Sequence, residues 1–285
     1  MKHVAIIGLG LMGGSLGLAI RRLGLAKVSA YARREETRQL ALGMGAADCV
    51  FDTPRAALRG ADLAVFCTPV CTMPRLAKDC MDAFESGCVV TDVGSTKADL
   101  VREMDLLFQN TAASFVGSHP MAGSEKTGVE SSRTDLYEGA VTAVTPAASG
   151  TREEDVLKVM DLWRGVGAKV VRLDPETHDA LVAKTSHLPH LIAALLVTTS
   201  ARSPMPNDLP KFCGSGFRDS TRIAGGSPEM WHDIVKTNRA AILEELHHFE
   251  GSLGELIRLI ESQDYDGVKR DLEEARRLRA RLLGC

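Results

Sequence analysis

Three groups of residues in this chain combine types and spacings that can do chemistry. The first is Gly8-Leu9-Gly10-Leu11-Met12-Gly13-Gly14, with glycines at the first, third and sixth positions of G-x-G-x-x-G. An apolar run, residues 4–7, leads into it, and an alanine- and leucine-rich helical pattern over residues 15–22 follows. In a strand–turn–helix unit each glycine has a task. Gly8 permits a tight turn, Gly10 lets a pyrophosphate approach the backbone, and Gly13 lets the helix pack close to the strand. The helix N-terminus then offers unpaired N–H groups and a partial positive charge to the phosphates. Gly8, Gly10, Leu11, Met12 and Gly13 are therefore assigned to a dinucleotide. The alternative is a glycine-rich turn in some other α/β protein.

The second group lies where predicted strands end, the place at which ligands bind to parallel sheets. Thr68-Pro69-Val70 is a small-residue turn after residues 63–67, placed to run along the cofactor. Val93-Gly94-Ser95-Thr96-Lys97 follows residues 88–92 and brings hydroxyls toward the nicotinamide. Ser118-His119-Pro120-Met121-Ala122-Gly123-Ser124-Glu125 follows residues 114–117. His119 there is placed to be a general base, the other reading being a hydrogen-bonded loop histidine.

The third group is in the second half. Thr185-Ser186-His187-Leu188-Pro189-His190 puts polar side chains inside an apolar helical pattern, at a cost unless they are paired or functional. His187 and His190 share a face, but further ligands for a metal are not found, and no metal is expected. Gly214-Ser215-Gly216-Phe217-Arg218-Asp219-Ser220-Thr221-Arg222-Ile223-Ala224 sets two arginines in a glycine-flanked polar stretch. That suits a carboxylate substrate; the plainer reading is a loop whose arginines pair with Asp219 or Glu229.

The dinucleotide itself is read from the end of the second predicted strand. NAD-preferring folds carry an acid there, about 20 residues past the glycines, for the ribose 2′-hydroxyl. Ala32 stands at that position, followed by Arg33 and Arg34. A small residue and two guanidinium groups suit a 2′-phosphate, so NADP is expected over NAD. Glu35 and Glu36 follow and can instead neutralise the two arginines in a solvated loop.

The elements that position these groups alternate in the first half. Strands are predicted at residues 3–8, 27–31, 63–67, 88–92, 114–117, 140–145 and 169–172, with helices such as 34–44 and 151–166 between them. That order predicts α/β architecture, an N-terminal doubly wound Rossmann-type parallel sheet, the later strands being a possible extension of it. Past residue 173 no strand is read. Helices are predicted at 175–201, opened by Asp174-Pro175, at 230–260 and at 265–283. The expected division is a dinucleotide-binding domain, 1–173, and an all-helical substrate and dimerisation domain, 174–285.

Composition is consistent with this. The 285 residues are 45% hydrophobic, enough for a large core, and the net charge of −3 gives no reason to expect a nucleic-acid or membrane surface. No apolar run reads as long and uninterrupted enough for a bilayer, and the chain starts on a strand without room for a signal peptide. The seven cysteines match no zinc spacing. An odd number of thiols in such a chain reads as reduced and cytoplasmic.

With these residues in view, the sequence resembles the prephenate/arogenate dehydrogenases of tyrosine biosynthesis over essentially its whole length. The resemblance is carried by residues 8–16, 92–97, 118–123, 186–190 and 216–224, with Trp231 beyond. It implies oxidation of a cyclohexadienol while the ring loses CO2, giving hydroxyphenylpyruvate from prephenate or tyrosine from arogenate. It further implies that His119 accepts the proton of the ring 4-hydroxyl and that Ser95 hydrogen-bonds that hydroxyl. Arg222 then looks like the carboxylate anchor and His190 a second substrate contact. Ser124, Glu125, Ser186, His187, Asp219 and Trp231 match positions around the pocket, some donated across a homodimer. Many members carry an acid where Ala32, Arg33 and Arg34 stand, so this departure bears on NAD use. No residue decides prephenate against arogenate. Neither a preceding mutase domain nor a following regulatory domain is expected. Another two-domain oxidoreductase, of the β-hydroxyacid dehydrogenase or imine reductase type, would share the glycine turn and helical half without requiring His119, His190 and Arg222 together. A non-enzymatic NADP sensor would need no base at all.

Overall fold

The computed structural model describes residues 1–123, 126–148, 150–202 and 207–284, and they group into two compact units, Met1–Arg239 and Ala240–Cys285. The first unit opens with β1 (His3–Ile7), α1 (Leu11–Arg22), β2 (Lys27–Tyr31), α2 (Glu35–Met44), β3 (Cys49–Phe51) and α3 (Pro54–Leu58). It continues with β4 (Leu63–Phe66), α4 (Met73–Asp79), β5 (Val89–Asp92), α5 (Ala98–Phe108) and β6 (Ser114–Phe115). The strands are parallel in the order β3-β2-β1-β4-β5-β6. The order reverses between β1 and β4, and the crevice for a ligand opens at that point.

Both sheet faces are covered, which is why these strands read as unbroken apolar runs. Successive side chains point to opposite faces. Val4 and Ile6 enter one core with Leu16 and Ile20 of α1, whereas Ala5 and Ile7 enter another with Met73 of α4 and Leu100 and Met104 of α5.

Two sequence expectations are corrected here. Residues 114–117 are not one strand. β6 stops at Phe115, and the chain departs at Gly117 into β7 (Gly117–Pro120). A Cβ at Gly117 would stand 2.6 Å from Thr145 Oγ1 and 2.7 Å from Val101 Cγ2, so only glycine passes there. Nor do the later strands extend the parallel sheet. β7, β8 (Val141–Thr145) and β9 (Lys169–Arg172) make a separate three-stranded sheet, in which β7 and β8 are antiparallel. Between β8 and β9 runs α6 (Glu153–Gly165), whose Val156, Val159 and Trp163 complete the core on the α1 side. The sequence reading also missed the edge strand β3, which has only three residues.

Beyond β9, α7 (Pro175–Val182) starts as expected, with the Asp174 carboxylate accepting from Thr177 N at 2.8 Å and Pro175 in the first turn. A π-helical turn, Ala183–His187, joins it to α8 (Leu188–Ala201). The expectation that no apolar run reaches bilayer length is corrected: Pro175–Ala201 spans 27 residues, and its most apolar stretch has a mean hydropathy of 1.4. His178, Asp179, His187 and His190 are nonetheless buried along it and partnered within the unit, whereas residues 195–199 of α8 are exposed. Next come α9 (Leu209–Phe212), α10 (Ser215–Thr221), a short 3-10 turn (Arg222–Gly225) and α11 (Pro228–Thr237). The helix predicted over 230–260 is interrupted at Asn238, after which α12 (Arg239–Glu261) begins. In the second unit α12 turns into α13 (Tyr265–Leu283), where Asp264 accepts from Gly267 N at 2.8 Å.

Candidate active site

The glycine turn has the geometry of a phosphate cradle. Gly8 sits at φ +109°, a conformation other residues avoid. A Cβ at Gly13 would lie 2.1 Å from Gly8 O, so that position admits only glycine. Gly10 differs: nothing lies within 4 Å of where its Cβ would be. Space is thus kept on the side where a pyrophosphate would approach. Gly10 is also the N-cap of α1, which has no side-chain cap and no acid in its first turn, so its leading amides point outward unsatisfied. Thr68 lies across the turn, with Cγ2 2.9 Å from the Gly8 Cβ position, and its buried Oγ1 has no partner. An orphaned hydroxyl at this turn suits a bound polar ligand. Pro69 is exposed beside it. These residues fit a dinucleotide.

At the end of β2, Arg33 and Arg34 are exposed, and their guanidinium groups make no hydrogen bond or ion pair among the described residues. Glu35 does not neutralise them; it is taken by Arg38 and by Gln39 Nε2 at 2.6 Å. Arg38 also donates to Ala32 O and Arg33 O, both at 3.0 Å, and straps this loop in place.

At the end of β5 the fully buried Asp92 gathers the next loop and the next sheet. Its Oδ1 accepts from Ser118 N at 2.9 Å, and its Oδ2 from Gly94 N at 2.7 Å and from the Lys97 ammonium. Lys97 Nζ donates in addition to Ser118 O at 2.9 Å. Burial pulls the Lys97 pKa down, against the opposing attraction of Asp92. Removing either charge would leave the other uncompensated in the interior. Ser95, in the loop so fixed, is half-buried and makes no hydrogen bond among the described residues.

His119, in β7, begins a chain of contacts that crosses four segments. Its Nδ1 is 2.9 Å from Nε2 of the fully buried His178, whose Nδ1 is 2.8 Å from Asp179 Oδ1. The Asp179 carboxylate accepts from Lys97 N and Ala98 N, each at 2.8 Å, and so caps α5. Asn238 Nδ2 donates to Asp179 O at 2.9 Å and lies 3.1 Å from His187 Nδ1. His187 meets Trp231 edge-on at 5.9 Å between ring centroids, and Trp231 stacks on His190 at 3.5 Å. Gly226 makes room for this stack, since a Cβ there would be 2.7 Å from Trp231 Nε1. Burial holds His119 well below the ordinary histidine pKa, with His178, Lys97 and His187 adding to the effect. Burial likewise pushes His187 down to about 4 and lowers His190. The rings are therefore neutral at neutral pH.

The structure thus brings together His119, His187, His190 and Trp231, and holds Gly94 beside them through Asp92. Arg222 and Asp219 are exposed and unpaired among the described residues, and Arg218 donates to Cys213 O at 3.2 Å, so the plainer reading in which the arginines pair with Asp219 or Glu229 does not hold. Ser186 is exposed on the π turn. Ser124 and Glu125 lie outside the described residues. Cys67 is a free thiol whose pKa burial raises, a packing residue rather than a redox centre.

Sequence reasoning missed His178, Asp179, Asn238 and Gly226. A signal existed for His178. His178, Val182 and Ala183 share the buried face of one helix, and an ionisable residue there needs a partner. Asn238 gave none, being one polar residue in an amphipathic stretch.

A parallel sheet of this order, with an open cradle at its first turn and a neutral, partnered histidine at its strand ends, defines a nicotinamide-dinucleotide oxidoreductase of two-domain type. Comparison with known proteins makes the class specific. The chain matches the prephenate dehydrogenase nucleotide-binding domain over residues 16–172 and the prephenate dehydrogenase dimerization domain over residues 174–274. It is 33% identical to a cyclohexadienyl dehydrogenase of Zymomonas mobilis, over 99% of this chain and 96% of that one. Among solved structures, prephenate dehydrogenase from A. aeolicus, in complex with hydroxyphenyl propionate and NAD+, superposes with a TM-score of 0.91 at 34% identity, over 99% of this chain and 98% of that one. Synechocystis arogenate dehydrogenase superposes with a TM-score of 0.84 at 27% identity, over 98% and 99%. The chain belongs to the prephenate dehydrogenase family.

Proposed function

We propose that this enzyme carries out the NADP-dependent oxidative decarboxylation of arogenate, prephenate or both. The observation that carries the reading is the state of His119: neutral, held through Nδ1, and beside a loop that leaves Ser95 free. Its Nε2 is then available to take the proton of the substrate ring hydroxyl, with Ser95 as that hydroxyl's second partner. The bound nicotinamide supplies the hydride acceptor. As the hydroxyl proton passes to His119 and hydride leaves the same carbon, the ring sheds CO2 and becomes aromatic, which makes the step effectively irreversible.

Arg222 and His187 supply the substrate contacts. The Arg222 guanidinium is unpaired and suits a carboxylate. Asn238 Nδ2 can only donate, so His187 accepts at Nδ1 and bears its proton on Nε2. That Nε2 is buried with no partner, a donor that a substrate oxygen would satisfy. His190, stacked on Trp231, walls the same region.

NADP over NAD rests on Ala32 and on the unpaired Arg33 and Arg34. The A. aeolicus relative was solved with NAD+, so the preference is a property proposed for this chain. A homodimer through the helical half is proposed on the exposed Leu195, Leu196 and Val197 of α8, an apolar stretch that a second copy would cover. The six described cysteines are free, as suits the cytoplasm proposed for it. Initial rates with prephenate and arogenate, each with NAD and NADP, test the substrate and cofactor readings together. Turnover of neither substrate would overturn the proposal.

A further inference from the structure

We propose that His178 and Asp179 are positioning residues that set the tautomer of His119, so that its lone pair always faces the substrate. This rests on the reading of His119 as the base and explains how the fold prepares it.

The hydrogen-bonding role of one group, the Asp179 carboxylate, is unambiguous. The Asp179 carboxylate can only accept, and its two oxygens already receive the Lys97 and Ala98 amides. The ring nitrogen 2.8 Å from it, His178 Nδ1, must therefore carry a proton. A neutral imidazole has one N–H, so His178 Nε2 is a lone pair. The atom 2.9 Å from that lone pair, His119 Nδ1, must in turn be the donor. His119 Nε2 is left as the acceptor, and it is the nitrogen directed away from the relay. Each tautomer fixes the next, and the chain ends in a base of the correct sense. The logic is that by which a buried acid orients the histidine of a serine hydrolase, with a second imidazole interposed.

The relay is anchored independently of substrate. His178 is wholly buried on α7, and Asp179 is tied to the start of α5 by its carboxylate and to Asn238 by its carbonyl. The charged and titratable groups facing the ring pair are Lys97 and Asp92 at the β5–α5 junction, Asp179 on α7 and His187 on the π turn. A proton added to the pair disables the base on whichever ring it settles. On His119 it occupies Nε2 directly. On His178 it turns Nε2 into a donor, and His119 must then accept at Nδ1 and carry its own proton on Nε2. Activity thus requires the pair to be neutral as a unit.

Two substitutions separate this role from bulk packing. His178→Phe keeps the ring volume and removes the acceptor; kcat should fall by about 10- to 10²-fold, short of the roughly 10²–10⁴ that a whole general base is worth. KM for the ring substrate and Kd for NADP should hold. His178→Gln can present a carbonyl oxygen to His119 Nδ1 and should restore most of kcat. Nitrogen-15 NMR of histidine-labelled protein reads the tautomer without turnover. The resonance absent from His119→Asn should report Nδ1–H in the wild type and lose that bias in His178→Phe. Wild-type kcat in a folded His178→Phe, a Gln variant no better than Phe, or His119 bearing its proton on Nε2 would each overturn the assignment. Absence of turnover by the wild type would count against the proposed function instead, and the NMR measurement would still decide the tautomer.

Discussion

At the glycine turn the residues that matter carry almost no side chain, and their job is to leave room. Gly8, Gly10 and Gly13 lie within six positions of one another, and the guanidinium groups of Arg33 and Arg34 project from the next strand end without a partner among the described residues. At the histidine chain the reverse is true. Every ring from His119 to His187 is held by another side chain, drawn from β7, α7, the π turn and the end of α11. The cofactor end recognises a large, charged ligand that brings its own chemistry, so vacant backbone amides suffice. On the proposed reading the substrate end holds a neutral base in one orientation, and a rigid, hydrogen-bonded network in low dielectric serves that end.

The sharpest way to break this contrast is His119→Asn. The base contributes about 10²–10⁴-fold, so kcat should fall by that amount while NADP affinity, set at the other end, does not move. In the wild type the rate should fall on acidification only well below the ordinary histidine range, because burial holds His119 neutral. Near-normal turnover in the variant would remove His119 as the base.

The next effect is on stability and belongs to the histidine end alone. His187 takes a proton near 6.5 when unfolded and only at about 4 when folded. The unfolded chain then binds more protons between those values, so stability is full above the upper one and declines as pH falls through the window, by up to about 3 kcal/mol. Urea titrations across that window should show the loss, and His187→Gln should flatten it. Parallel curves would mean His187 is not the group responsible.

Arg222→Ala comes next. A charged hydrogen bond to a partly buried carboxylate is worth about 1.5–3 kcal/mol, or roughly 10–150-fold in substrate KM at 1.4 kcal/mol per decade. Lysine should rescue only partly, since it loses the planar fork. Equal losses in substrate and NADP affinity would make Arg222 a structural residue. Replacing Arg33 and Arg34 together by alanine should lower the NADP-over-NAD ratio of kcat/KM by about tenfold, a smaller effect because salt screens an exposed loop. An unchanged ratio would sink the 2′-phosphate reading. Smallest of all is the effect of Gly10→Ala on the fold. Its Cβ meets nothing within 4 Å, so the melting temperature should hold while isothermal titration shows weakened NADP binding. Unaltered binding would mean that the pyrophosphate does not pass there.

Legibility in the sequence followed the same divide. The glycine turn, the Asp174-Pro175 helix start and the polar insertion at residues 185–190 were readable because each is a local spacing with a local cause. β7 was misplaced because its boundary at Gly117 is set by a close approach to Thr145 and Val101, far away in the chain. The break at Asn238 was invisible because the amide that ends α11 is drawn to Asp179 and His187, 59 and 51 residues away.

The sequence by itself determined the parallel sheet, the glycine turn and the polar insertion in the helical half, since apolar strand runs, glycine spacing and misplaced polarity are all short-range. Only the tertiary structure decided that His119 is answered by His178 and Asp179, and that Asp92 and Lys97 clamp one loop to two sheets. Hydrogen-bond partners are chosen by distance in space, and a chain that folds back on itself shows that distance only once it has folded.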